Sequence, residues 1–223
     1  MVYLNEIKGA IFDVDGTLLD SMPMWGHIET DYLISRGIMP RPGMSDDLRT
    51  LGGLEVPMYF QSEYDLRETV TEIQAGINKL AEYAYLNKLQ LKDGVIASLK
   101  ELRACGVKMC VATATDKCLV EPALQRCGVL GYFERIFSCV QEETSKNTPD
   151  IFIRAAAFLG TDICDTLVVE DALYAMKTAK SAGFPIAAVY DRSFDNQQDE
   201  IRACCDLYYY SLAEFRDAII KNV

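Results

Sequence analysis

Short apolar runs alternate with amphipathic stretches through the second half of the chain, and this alternation limits the fold more than any other feature. "VKMCVAT" (Val107 to Thr113), "RIFSCV", "TLVVE" and "PIAAVY" are each too short for a helix, which predicts buried strands. Among the stretches between them, "DGVIASLKELRACG" is the clearest helix. Asp93 is placed to cap it, Val95, Leu99 and Leu102 share one face, and Gly106 ends it. Strands and helices in alternation predict an α/β fold: a doubly wound parallel sheet covered on both faces.

Residues 21–91 follow a different rule. "VTEIQAGINKLAEYAYL" places Val70, Ile73, Ile77, Leu80 and Ala84 on one helical face, and an earlier helix ending at Gly37 carries Trp25, Ile28 and Tyr32. "MPRPGMSDD" between them reads as a loop. The expected organisation is an α/β core from residues 1–20 and 92–223, interrupted after its first strand by an all-helical insert over 21–91.

Bulk properties exclude several functions. Acidic residues outnumber basic ones 33 to 22, a net charge of −11, which argues against nucleic acid or an anionic membrane as partner. No apolar run approaches the roughly 20 residues that span a bilayer. The start lacks the layout of a signal peptide, so a cytoplasmic location is expected. The eight cysteines include no C-x-x-C pair and the single histidine is His27, a poor set for zinc. Reduced structural thiols are the expectation.

The chemistry begins at "IFDVDGTLLDS", where Asp13 and Asp15 close an apolar run that Gly16 then breaks. Alternate residues of an extended segment point the same way, and two carboxylates that close repel unless a cation or a proton transfer engages them. In parallel sheets ligands bind at the carboxyl ends of strands. The other strand ends supply Thr113, Ala114 and Thr115; then Lys146 in "SKNTPDIF"; then Glu170 and Asp171 in "TLVVED". An acid pair, a hydroxyl, a cation and a second acid pair are the groups that phosphoryl transfer through aspartate requires. Taken singly each has an ordinary reading, such as a turn, a helix cap or a solvated lysine; occurrence together at successive strand ends outweighs those readings.

With D-x-D-G-T, "ATAT", "SKNTPDIF" and "VVEDA" in this order, the chain resembles the haloacid dehalogenase superfamily, most closely its phosphatase and beta-phosphoglucomutase-like branch with a helical cap. The resemblance covers essentially the whole chain. It implies Asp13 as nucleophile, Asp15 as acid and base, Thr113 and Lys146 as phosphate ligands, and a Mg2+ ion. The ion would be held by Asp13, the backbone carbonyl of Asp15, and Asp171, with Glu170 binding directly or through water. Two positions depart from the family: Asn147 stands where proline is common and Ala175 where glycine is common. Neither removes a reacting group.

Dehalogenases and phosphonatases lack an acid at the position of Asp15, so its presence favours phosphate esters. Mutases of the branch carry a cap histidine where this chain has Trp25, and basic residues near a cap glycine where it has Leu51 and Glu55. Arg49 is close but out of register. The expected function is therefore a phosphatase acting on a small phosphorylated metabolite, such as a sugar phosphate or nucleotide. A beta-phosphoglucomutase-like phosphotransferase is the first alternative, and a catalytically silent module that binds a phosphorylated ligand is the second. Met22, Trp25, Tyr59, Phe60 and Tyr64 are candidates to line the cap or to form its core. A monomer is expected, with a dimer left open.

Overall fold

The computed structural model describes residues 4–48, 51 and 54–222. The chain divides into two compact units, Met1–Met22 with Leu89–Val223, and Pro23–Lys88.

The first unit is built on six strands: β1 (Gly9–Phe12), β2 (Lys108–Thr113), β3 (Ile136–Ser138), β4 (Thr166–Glu170), β5 (Ile186–Val189) and β6 (Leu207–Tyr209). All neighbours are parallel, in the order β3-β2-β1-β4-β5-β6. Ile11 pairs with Cys110 on one side and Val168 on the other, so β1 lies inside the sheet. This explains why its four residues are all buried and read as a continuous apolar run. The strand order reverses beside β1, the kind of place where such sheets bind ligands.

Among the described residues there are eleven α-helices. α1 (Met22–Trp25), α2 (Ile28–Ser35), α3 (Met44–Leu48), α4 (Glu55–Glu63) and α5 (Val70–Asn87) come first, then α6 (Val95–Ala104), α7 (Lys117–Arg126), α8 (Asp150–Leu159), α9 (Leu173–Ser181), α10 (Gln198–Cys204) and α11 (Leu212–Asn222). Ile151, Phe152 and Ala155 of α8 and Ala175, Met176 and Ala179 of α9 join Ile11, Cys110 and Val168 in one core. α6 and α11 pack on each other, with Ser98 Oγ donating to Leu212 O at 2.5 Å. The cap of α6 differs from expectation. Gly94, at φ 82°, takes the N-cap position instead of Asp93, because a Cβ there would lie 2.0 Å from the Ala213 nitrogen.

The second unit is entirely helical among its described residues. Its core joins Ile28, Tyr32, Leu33, Phe60, Ile73, Ile77 and Ala81, and the Tyr32 and Phe60 rings stack at 6.1 Å. α5 starts at a capping box of Thr69 and Glu72. Its buried face runs through Ile73, Ile77, Ala81, Ala84 and Tyr85, so the expected Val70 and Leu80 sit at the margin. "MPRPGMSDD" is not loop throughout, since α3 begins at Met44. The proposed lining aromatics belong largely to this core: Phe60 is fully buried, and Trp25, Tyr59 and Tyr64 pack against it. Arg49 lies outside the described residues.

None of the eight cysteines is joined in a disulfide. Cys110 and Cys139 are buried, whereas Cys105, Cys118 and Cys164 are exposed rather than acting as core hydrophobes. Among the described residues no helix is long and apolar enough to cross a membrane.

Candidate active site

Asp13 follows β1 directly, and its backbone N–H donates to Val169 O of β4 at 3.0 Å. The ladder therefore carries the nucleophile candidate to the place where the acids after β4 emerge. Lys146 comes from the loop before α8 and is 3% exposed. Its ammonium donates to Asp13 Oδ1 and to Glu170 Oε1, the latter at 2.6 Å. The other oxygen of Glu170 accepts the backbone N–H groups of Asp171 and Ala172 at 2.8 and 2.9 Å. Glu170 thus has both oxygens engaged by protein donors and holds Lys146 in place.

Asp171 is 1% exposed. Its Oδ1 accepts from Thr17 Oγ1 at 2.9 Å, while its buried Oδ2 has no hydrogen-bond partner among the described residues. Asp13, Glu170 and Asp171 each offer one oxygen, and these lie within 4.8 Å of one another. Gly16 closes this side: at φ 83°, its Cβ, if present, would sit 2.1 Å from Asp171 Oδ2. A cradle of hard oxygen donors with one buried oxygen left over suits a hard divalent cation.

The electrostatics point the same way. Burial pushes the Asp13 carboxyl up to about 8, with the charges of Glu170 and Asp15 adding to the rise and Lys146 opposing it. Burial, then Glu170 and Asp13, hold Asp171 well above the carboxylate range. Burial works against the Lys146 charge, but Asp13 and Glu170 outweigh it and hold the ammonium above its ordinary value. Three clustered acids and one lysine leave an excess of negative charge that a divalent cation would relieve.

Asp15 stands apart from this cluster. Ser21 Oγ donates to its Oδ1 at 2.6 Å and Thr115 Oγ1 to its Oδ2 at 2.7 Å. Both of its carboxylate oxygens are therefore held by hydroxyl donors. Thr113 is fully buried, and its Oγ1 accepts from the Thr115 backbone N–H at 3.1 Å, leaving its own proton to donate. Helix α7 is capped by Asp116, which accepts from Cys118 N at 2.9 Å, so Thr115 is released to serve Asp15.

All six candidates from the sequence lie in this one unit, at or after the ends of β1 to β4. Sequence reasoning missed Thr17 and Ser21 as partners of Asp171 and Asp15. It also missed Lys92, which reaches Gly16 O at 2.5 Å and Asp191 Oδ2 at 2.9 Å. "DGTLLDS" displays the two hydroxyls, but their partners are set by the fold.

Comparison with known proteins adds independent findings. A family model described as haloacid dehalogenase-like hydrolase matches residues 7–183. A phosphoglycolate phosphatase from Rhodobacter capsulatus is 30% identical over 183 residues, covering 78% of this chain and 80% of its own. Hexitol phosphatase B from Escherichia coli is 28% identical over 188 residues, with 80% and 81% covered. Among solved structures, a candidate beta-phosphoglucomutase from Thermotoga maritima superposes with a TM-score of 0.85 at 19% identity, covering 97% of this chain and all of its own. CbbY from Rhodobacter sphaeroides, crystallised with phosphate, gives 0.73 at 22% identity over 94% and 96% of the two chains. At these identities the structural likeness speaks to the fold.

Proposed function

The chain belongs to the haloacid dehalogenase-like hydrolase family, and from that premise we propose that it is a Mg2+-dependent phosphatase working through a phosphoryl group carried on Asp13. The observation that supports this reading is the pairing of buried Asp13 with Lys146 beside the unpartnered oxygen of Asp171. The substrate class is a small phosphorylated metabolite; the relatives named for hexitol phosphate and phosphoglycolate chemistry point to compact polar leaving groups. Pro23–Lys88 takes the role of a substrate-selecting cap.

Asp13 attacks phosphorus as its carboxylate. The ester P–O bond breaks, and protonated Asp15 gives its proton to the leaving alkoxide. Asp15, now ionised, takes a proton from water as that water attacks the phosphoryl group. The P–O bond to Asp13 breaks, inorganic phosphate leaves, and Asp15 is protonated again. Lys146 stabilises the anionic oxygens and holds Asp13 against Glu170, while Thr113 donates to a phosphoryl oxygen. Ser21 and Thr115 keep both Asp15 oxygens in fixed directions between its two proton transfers. Asp13, Asp171 and the Asp15 carbonyl would hold Mg2+, with Glu170 beside them; when bound, the ion supplies charge neutralisation at the phosphoryl oxygens.

The deciding experiment is phosphate release across a panel of sugar phosphates, polyol phosphates, phosphoglycolate and nucleoside monophosphates, with and without Mg2+. Mg2+-dependent hydrolysis of one subset is the expected result. Retained binding of phosphorylated ligands with no turnover of any, a generic aryl phosphate included, would favour the silent binding module instead.

A further inference from the structure

Lys92 lies on the segment entering α6 and is tied to the loop after β1 at two points. Its backbone N–H donates to Leu18 O at 2.9 Å, and its ammonium donates to Gly16 O at 2.5 Å. The two remaining donors of that ammonium go to Tyr190 O at 2.8 Å and Asp191 Oδ2 at 2.9 Å, so its capacity of three is used. Asp191 is itself buried and accepts from Ser193 N at 2.9 Å, which fixes the far end of the brace.

The Gly16 carbonyl belongs to the peptide unit joining Gly16 to Thr17. Those two residues face the two oxygens of Asp171. Thr17 Oγ1 donates to Oδ1 at 2.9 Å, and Gly16 approaches Oδ2 so closely that a Cβ would stand 2.1 Å from it. The tilt of one peptide thus governs the surroundings of both oxygens, and Lys92 fixes that tilt. We propose that Lys92 is a positioning residue for Asp171, acting through the Gly16–Thr17 peptide; this rests on the metal-dependent phosphatase reading.

The sign of the effect separates positioning from charge. An ammonium near a cation site repels the cation, so losing the charge alone tightens metal binding. Losing the brace misplaces Asp171 and weakens it. The experiment titrates Mg2+ calorimetrically into the full chain at alkaline pH, where a proton does not compete for the acids. Wild type, Lys92→Met and Lys92→Gln are compared, each checked for cooperative melting. For Lys92→Met the expected result is a Kd raised about tenfold, within the span typical of groups that orient metal ligands. Lys92→Gln, which keeps a donor without the charge, should fall between and provides the measurement if Lys92→Met does not fold. Unchanged or tighter Mg2+ binding in a folded variant overturns the proposal. If that occurs while wild type still hydrolyses phosphate esters, Lys92 alone has been misassigned. A wild type that neither binds Mg2+ nor hydrolyses any ester overturns the phosphatase reading and this proposal with it.

Discussion

Lys146 donates to Glu170 Oε1 across 2.6 Å in a setting where both side chains are almost wholly buried. Leaving one partner of such a pair alone costs about 3–5 kcal/mol, chiefly because an uncompensated charge stays inside. With its second oxygen bound to two backbone N–H groups, Glu170 acts first as a holder of Lys146. Glu170→Gln should therefore lower kcat/KM by about 10–100-fold while changing Mg2+ affinity less than Asp171→Asn does. Parallel turnover and calorimetric Mg2+ titrations check this; a larger affinity loss in Glu170→Gln would make Glu170 a direct ligand.

Asp13→Asn keeps the shape of the nucleophile and removes its attacking charge. Turnover should fall by at least about 10³-fold, some 4 kcal/mol of barrier, with the fold preserved by circular dichroism. In quenched wild-type reactions a hydroxylamine-labile phosphoryl group should be found on the Asp13 peptide by mass spectrometry. A folded Asp13→Asn enzyme at full rate would remove the covalent mechanism.

Relative to Asp13→Asn, the metal-free chain should lose stability as pH rises from about 4 toward 8. The folded state keeps a proton on Asp13 that the unfolded state has released over that window. The unfolded state binds fewer protons there, so the slope of unfolding free energy against pH is negative. The contribution should exceed about 1.4 kcal/mol, the equivalent of one pKa unit. Mg2+ should restore most stability at the upper end, where the acids are ionised. Thermal melts of wild type and Asp13→Asn across pH, with and without Mg2+, measure both; a metal-free wild-type Tm that climbs through this window relative to Asp13→Asn contradicts the burial of charge at Asp13.

The acids were legible because they stand at or just past the end of runs whose length and apolarity mark buried strands, and Lys146 because it lies in the loop that follows such a run. A parallel sheet then gathers those ends without further information. The partnerships of Thr17, Ser21, Thr115 and Lys92 were not, since a hydroxyl or a lysine carries no mark of the group it meets, whether near in sequence, as for Ser21, or far, as for the others. β6 escaped notice for a related reason: at the sheet edge its three residues are only half-buried, so Leu207–Tyr209 lacks the apolar signature of the inner strands. α4 has no counterpart in the sequence reading; its Pro57 sits in the first turn, where the missing N–H has no helical acceptor to lose. Asp93 was misassigned as a cap because the close approach of Ala213, which demands glycine next door, is a tertiary fact.

The fate of the phosphoryl group on Asp13 decides between phosphatase and mutase. A phosphatase admits water that Asp15 can deprotonate; a mutase excludes it while a second sugar hydroxyl attacks. Holding a bisphosphorylated sugar calls for cations, and two arginines of the helical unit are already paired with acids. Arg36 pairs with Glu68 at 3.0 Å, and Arg41 with Asp47 and Glu63 at 2.5 and 2.8 Å. Trp25, at the mutase histidine position, directs its indole N–H to Tyr85 OH at 3.2 Å, and His27 is exposed. A charge-assisted contact is worth about 1.5–3 kcal/mol, so lacking two shifts the partition toward water by about a hundredfold or more. With beta-glucose 1-phosphate and catalytic glucose 1,6-bisphosphate, any turnover should yield glucose and free phosphate. Both products are followed together by coupled assays, and predominant glucose 6-phosphate would establish the mutase in its place.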